Sequence, residues 1–461
     1  MNYDVIVVGS GPAGMEAALR VARGGLQAAV VSATPPGGRT TVGSLLPSKL
    51  WLHAAHQRPP GAALLDDEST GETAAAVREG IQQRVRWNAA ELAAAGVEFV
   101  SGTAAVTAAG TVQVQSADGS QRHHTLTAKQ IVLATGSEPT FSGSVRPDGR
   151  HVIAPRMTRD LQRIPESLIV VGGGVTGVEY AEAFARLGSQ VTILSSRGLL
   201  PQFDREYVTH LEEYLKGLGV TVRTGARVTD LAVDSPGDAA SEAASNAASV
   251  ETSVVATTED GRRYSATMAF VATGRAADLT TITDADLRER LCAGSTATNP
   301  WIPVDSRGAT AVAGIWGCGD VTGPPFTANQ ALWQGRQVAA AILGTTSGPA
   351  GPEVAPAMIQ AVFTAAQLAQ IHPRQEYRAA GEHRRRWTTS ILSVVHGAQL
   401  PPGHLKVTVD DTGMIREAAA FGEGAAEVLA PIQLAMNTDI SWQRLSEVPF
   451  AYPTLSEVIT S

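Results

Sequence analysis

The stretch VIVVGSGPAGMEAALRVAR, Val5 to Arg23, decides the fold. Four apolar residues that suit a buried strand run into a glycine loop, and the loop opens into a segment with helical periodicity. Gly9, Gly11 and Gly14, with Pro12 and Ala13 between the last two, form a GxGxxG at that junction. The first glycine permits the tight turn and the second lets backbone approach a pyrophosphate. The third lets helix and strand pack closely, and the helix N-terminus attracts the anion. A lone GxGxxG is weak evidence, but the flanking strand and helix are the context the motif requires. The unit occurs again in LIVVGGGVTGVEYAEAFARLG, Leu168 to Gly188, with Gly172, Gly174 and Gly177. Two dinucleotide-binding domains are the expectation.

Working outward, apolar runs ending in glycine recur as IVLATG, FVATG and GIWGCGD, with helical segments between them, which predicts parallel βαβ units. The expected class is α/β: two Rossmann-like domains followed by a C-terminal α+β domain. The boundaries read from the sequence are 1–150, 151–280, 281–347 and 351–461. Within the last, LKVTVDDTGMIREAAAF alternates and turns at Asp-Thr-Gly as a hairpin does. Gln57–Thr73 and Pro236–Ser249 read as surface loops, and Thr345–Pro352 as a linker.

The chain has 461 residues, 44% hydrophobic and 17% charged, a globular balance with room for a large core. Its net charge of −8 argues against nucleic acid and gives no reason to invoke an anionic membrane surface. No apolar run reaches spanning length and no leader pattern opens the chain, so a soluble cytoplasmic protein is expected. Cys292 and Cys318 stand far apart, without disulfide or metal spacing. His53 and His56 share a helix face but lack a third ligand nearby, so no metal is expected. Arg384–Arg386 reads as a solvated turn.

The carboxylate that usually ends the second strand of such a domain is missing twice. Ser32 stands there in AVVSATPP, where its hydroxyl is expected to meet a ribose. Ser195, followed by Ser196 and Arg197, stands there in VTILSSRG. Hydroxyls and a guanidinium suit a 2′-phosphate, which predicts NADPH in preference to NADH, with NADH still possible.

A further stretch, PPGGRTTVGSLLPSK (Pro35–Lys49), completes an ordered set: GSGPAG, GG-x8-PSK, ATGSEP, GGGVTGVE, VATGR, GCGDVTG, VFT and YPTLSE. The set resembles the pyridine nucleotide–disulfide oxidoreductase family, in the branch of dihydrolipoamide dehydrogenase and mercuric reductase, over nearly the whole chain. The resemblance implies an FAD-binding domain made of 1–150 with 281–347 as its second part, an NAD(P)-binding domain at 151–280, and a twofold homodimer through a C-terminal α+β dimerisation domain at 351–461. It places Asp320 on the flavin's ribityl or phosphate side, and Thr135 and Gly136 at a crossing beside FAD. It places Ala328 where a backbone N–H approaches the flavin, and Gly274 near the nicotinamide nucleotide. Lys49 matches a lysine beside flavin N5, paired with the glutamate matched by Glu179.

Two departures redirect the chemistry. The family's redox cysteines fall at Thr40 and Leu45, or at Ser44 under a one-residue shift, and a hydroxyl cannot store two electrons as a disulfide does. The family's C-terminal proton-shuttling histidine falls at Tyr452, while Glu457, which would orient it, persists. The expected function is therefore an FAD-dependent NAD(P)H oxidoreductase. It would pass electrons from reduced flavin directly to a small molecule such as a quinone. Thr40, Thr41, Ser44, Leu45 and the Tyr452 of a second subunit are expected to line the acceptor pocket. The alternatives are a non-catalytic flavin-binding scaffold, or a reductase of a protein electron carrier or specialised metabolite.

Overall fold

The computed structural model describes residues 2–117, 123–141, 143–234, 253–345, 355–373, 379–387, 401–452 and 454–460. The loop expected at Pro236–Ser249 and most of the linker expected at Thr345–Pro352 lie outside them. The chain forms two units, one of residues 1–47, 75–140 and 274–355, the other of residues 48–74, 141–273 and 356–461.

The first unit is built on a sheet whose parallel strands run in the order Glu98–Ala108, Ala28–Ser32, Asn2–Val8, His123–Leu133, Ile315–Gly317. Thr111–Ser116 joins the ends of the two longest strands as an antiparallel meander. Val5, Ile6 and Val7 are fully buried, as a strand covered on both faces requires. The helix Pro12–Arg23 packs on this sheet with Ala17, Ala18 and Val21 inward, and Ala28 and Val30 complete that core. A short antiparallel pair, Ser137–Pro139 with Arg275–Ala277, joins the two chain passages that end in ATG.

The second unit holds a five-stranded parallel sheet in the order Thr221–Thr224, Gln190–Ser195, Ser167–Val171, Met268–Val271, Val152–Ile153. Strand 167–171 leads through the second glycine loop into the helix Val175–Arg186. The same unit contains an antiparallel C-terminal sheet of five strands in the order 359–362, 367–371, 415–422, 403–410, 379–387, with the helix Ala425–Asn437 packed on it. The fold class is thus the expected one, and Gly403–Asp410 and Ile415–Gly422 form the expected hairpin across Asp411–Gly413.

Two local readings are corrected. Asp67–Thr73 is not loop but the start of the helix Asp67–Ala94. Asp66 caps it by accepting from the Ser69 N–H at 2.7 Å, and Asp67 and Glu68 complement the helix dipole. Arg384–Arg386 is not a turn but part of the edge strand Ala379–Trp387, where Arg384 reaches Glu206 at 2.6 Å and Glu382 at 2.7 Å. Among the described residues no helix is long and apolar enough to cross a membrane.

A side chain at residue 14 has nowhere to go, since a Cβ there would lie 2.1 Å from the Gly9 carbonyl oxygen. Gly14→Ala is expected to cost about 3 kcal/mol or more, because backbone must separate from backbone. A denaturant midpoint equal to that of the unsubstituted protein would refute this account of the first loop.

Candidate functional site

The two glycine loops carry the same division of labour. Gly9 and Gly172 have φ of +109° and +121°, and a Cβ on either would come within 2.3 Å of a carbonyl oxygen, that of Ala134 or Ala272 respectively. Gly14 and Gly177 each lie against the first glycine of their loop, where a Cβ would be 2.1 Å from its oxygen. Gly11 and Gly174 differ: a Cβ on either would meet no protein atom within 4 Å. Both are helix N-caps with extended backbone, and neither helix end has a side-chain cap. Each loop therefore presents open space and uncapped amide N–H groups at the end of a 12-residue helix, the donor set a pyrophosphate needs. The residues present fit the pyrophosphate of a dinucleotide at each loop.

The serines that end the second strands are engaged within the protein. Ser32 is buried, and its Oγ accepts from Ser10 Oγ at 3.0 Å and from the Thr34 N–H at 3.1 Å. That cluster ties the glycine loop to the strand end, so a ribose must compete for Ser32. Ser195 is buried as well, donating to Gly198 O at 2.8 Å and accepting from the Gly198 N–H at 3.3 Å. Ser196 and Arg197 are the exposed pair at that strand end.

The ATG crossings are stitched together. Thr135 Oγ1 donates to Asp278 O at 2.6 Å, Asp278 N–H donates to Gly136 O at 2.9 Å, and Thr140 N–H donates to Gly274 O at 3.0 Å. Asp320 opens a short turn after Gly319, and its carboxylate accepts from Ser137 Oγ. The Asp320 loop lies close to the first helix: a Cβ on Gly319 would be 2.9 Å from the Ala13 Cβ. Ala328 is the first residue of the helix Ala328–Leu343.

In the second unit Lys49 Nζ lies 2.7 Å from Glu179 Oε2. Glu179 is 3% exposed, and its other oxygen accepts from the Phe363 N–H at 2.9 Å, while the Phe363 ring lies 4.5 Å from Lys49 Nζ. The cation is thus held by a buried carboxylate and an aromatic face. One turn further along the same helix, Glu182 is fully buried and accepts from His56 Nε2 at 3.0 Å, Arg186 Nε at 3.0 Å, Tyr214 OH at 2.6 Å and the Ala365 N–H at 3.0 Å. Burial alone would raise the Glu182 carboxyl, but the bonds from His56, Tyr214 and Ala365 hold it below its usual value. The sequence pattern of His53 and His56 does not point to Glu182, which becomes His56's partner only in the fold. The available signal was spacing: His56 follows Lys49 by two helical turns, as Glu182 follows Glu179 by one.

Of the expected acceptor-pocket residues, Thr40 and Ser44 are partly buried and Leu45 is exposed. Thr41 is buried, its Oγ1 standing where a side chain on Gly37 would go. Tyr452 is 73% exposed, and Glu457 lies in the 3-10 turn Leu455–Ile459. Both cysteines are free thiols. Burial pushes Cys318 up to about 12, and burial likewise raises Cys292. Among the described residues no cluster of His, Cys, Asp or Glu forms a metal site.

A family model for the pyridine nucleotide-disulphide oxidoreductases matches residues 3–335. A dihydrolipoyl dehydrogenase of Chlorobaculum parvum is 28% identical over 99% of this chain and 96% of its own length. An NAD(P)H dehydrogenase (quinone) of Mycobacterium tuberculosis is also 28% identical, covering 100% of this chain and 93% of that protein. Among solved structures, LpdA of Mycobacterium tuberculosis superposes with a TM-score of 0.83 at 25% identity, over 99% of this chain and 98% of that one. The Escherichia coli flavoprotein disulfide reductase RclA, in a Cu(II) complex, gives 0.82 at 21% identity, over 100% and 98%, which speaks to fold alone.

The open space at Gly11 generates a test that separates binding from folding. Gly11→Val is expected to match the unfolding midpoint of the FAD-stripped unsubstituted protein while the purified variant no longer retains FAD. Retention of stoichiometric FAD, read from the visible spectrum, would show that the pyrophosphate does not lie there.

Proposed function

The chain belongs to the pyridine nucleotide-disulphide oxidoreductase family, and from that premise we propose that it is an NADPH-dependent flavoprotein reductase of a small molecule, with quinones the best-fitting class. One observation carries the reading: both glycine-loop helix ends keep uncapped N–H groups facing open space, while the Pro35–Lys49 segment contains no cysteine. FAD, when bound, would supply a two-electron redox ring between nicotinamide nucleotide and acceptor. The balance is NADPH + H⁺ + quinone → NADP⁺ + hydroquinone. The relative that carries dihydrolipoyl dehydrogenase as its name does not lend this chain that activity, because a dithiol relay has no sulfur here to run through. The relative named NAD(P)H dehydrogenase (quinone) supports the alternative acceptor.

The chain's own residues divide the work as follows. The helix N-terminus at Gly11 holds the FAD pyrophosphate, and that at Gly174 holds the nicotinamide nucleotide. Asp320 accepts hydrogen bonds from the flavin's polar chain. Lys49 supplies positive charge where reduction accumulates negative charge, and Glu179 fixes the ammonium in place. Exposed Ser196 and Arg197 receive the 2′-phosphate. Thr40 and Ser44 offer hydroxyls to the acceptor, and Leu45 offers an apolar face. In a homodimer, Tyr452 of the partner subunit donates a hydrogen bond or a proton, and Glu457 supports it.

Purified protein should be yellow and bleach anaerobically with NADPH, and re-oxidise on addition of a benzoquinone. Failure to bleach with either nicotinamide nucleotide overturns the reading. Arg197→Gln should raise KM for NADPH on the order of 10-fold and leave KM for NADH unchanged, since only the 2′-phosphate contact is lost. Equal effects on both nucleotides would show that Arg197 does not read that phosphate. Iodoacetamide applied to the reduced protein should leave quinone turnover intact, because neither thiol takes part. Inactivation by that reagent would place a cysteine in the electron route.

A further inference from the structure

The residue directly after the Gly37-Gly38 pair is Arg39, and its side chain leaves the acceptor segment altogether. Arg39 Nη1 donates to Ser137 O at 2.9 Å, and Nη2 lies 2.8 Å from Asp278 Oδ2 and 2.5 Å from Glu138 Oε1. All three partners belong to the antiparallel pair at the ATG crossings or directly follow it. Asp278 is buried, and its Oδ1 is taken by the Thr280 N–H at 3.0 Å and the Thr280 hydroxyl at 2.6 Å. Its second oxygen is thereby aimed at Arg39. Burial alone would raise the Asp278 carboxyl, but Thr280 and Arg39 hold it below the usual range.

Ser137 O also accepts from Arg275 Nη2 at 2.6 Å, so two guanidinium groups converge on one carbonyl. Arg275 Nε donates to Ser137 Oγ at 2.7 Å, and that hydroxyl donates to Asp320. Two like charges this close are tolerable because Glu138, Asp278 and Asp320 surround them. The helix that carries Arg39, Gly38–Val42, has five residues, too few to persist by its own hydrogen bonds. Its tether to the crossings is the planar fork of Arg39, which a lysine cannot reproduce.

We propose that Arg39 is the positioning residue of the acceptor segment: it clamps Gly38–Leu45 onto the Ser137–Asp278 strand pair, so that Thr40, Ser44 and Leu45 form a fixed wall. The clamp itself stands on the geometry above. Its consequence for the acceptor rests on the reductase reading.

The test uses FAD-loaded protein with Arg39→Ala, Arg39→Lys and Asp278→Asn. Amide hydrogen exchange in peptides covering residues 40–45 should speed up about 10-fold in Arg39→Ala and by less in Arg39→Lys and Asp278→Asn, with the rest of the chain unaffected. KM for a water-soluble benzoquinone should rise on the order of 10-fold in Arg39→Ala, with partial rescue in Arg39→Lys, while the rate of bleaching by NADPH stays within about twofold. Should Arg39→Ala fail to fold, the other two variants carry the same exchange readout. Unchanged exchange at residues 40–45 in every folded variant overturns the clamp. Equal losses in bleaching and in quinone turnover overturn its role on the acceptor side. A wild-type protein that NADPH does not bleach defeats the reductase reading instead, and the exchange result still decides the clamp.

Discussion

The contact between Gly14 and the Gly9 carbonyl oxygen, repeated between Gly177 and Gly172, is the constraint from which the rest of each nucleotide-binding domain follows. Because no Cβ intervenes, the helix axis can approach the strand end closely. That approach aims the uncapped N–H groups of the first turn into space that protein atoms leave open at Gly11 and Gly174. A side chain at the third glycine would push the helix away and disperse those donors. The anion sites are thus consequences of backbone packing, and the surrounding side chains refine them.

The helix Val175–Arg186 shows how one element serves several ends. Its uncapped N-terminus follows the second glycine loop, and Glu179 and Glu182 stand one turn apart along it. Both carboxylates are buried, so each must be fully satisfied. The amides of Phe363 and Ala365, together with Lys49, His56, Arg186 and Tyr214, do this. Stripping either carboxylate of its partners would leave charge in a low-dielectric interior, which costs on the order of several kcal/mol. Lys49 is consequently held at one place by groups that are themselves fixed, which is what the charge-balancing role proposed for it requires.

What could be read from residues alone was whatever rests on local rules. Glycine spacing, apolar strands and the Asp-Thr-Gly turn are short-range features, and the Lys49–Glu179 pair followed from a resemblance built on such motifs. What escaped depends on long-range partners. Arg39 gives no sequence signal, because its partners lie about a hundred and about two hundred and forty residues away. Ser195 is the right residue at the right strand end, yet its hydroxyl closes the turn to Gly198. Arg384–Arg386 reads as a solvated turn because charge dominates composition, but an edge strand accepts charge readily and uses it to discourage further pairing.

The difference between a disulfide relay and a direct transfer can be argued from the sulfurs present. A relay needs a thiolate that is both ionised and accessible. Cys318 is fully buried in the apolar core under the first glycine loop, and burial keeps its proton on. Cys292 ends the helix Ala285–Cys292, where burial likewise favours the thiol over the thiolate. Burial outweighs the nearby Arg288 charge at Cys292 and acts alone at Cys318, so at both positions the thiol is favoured over the thiolate. On the proposed reading electrons must then leave reduced flavin for an acceptor that comes to it directly. That requirement favours a small, planar, two-electron acceptor over a bulky disulfide, and it makes the rigidity of residues 38–45 matter more than their reactivity.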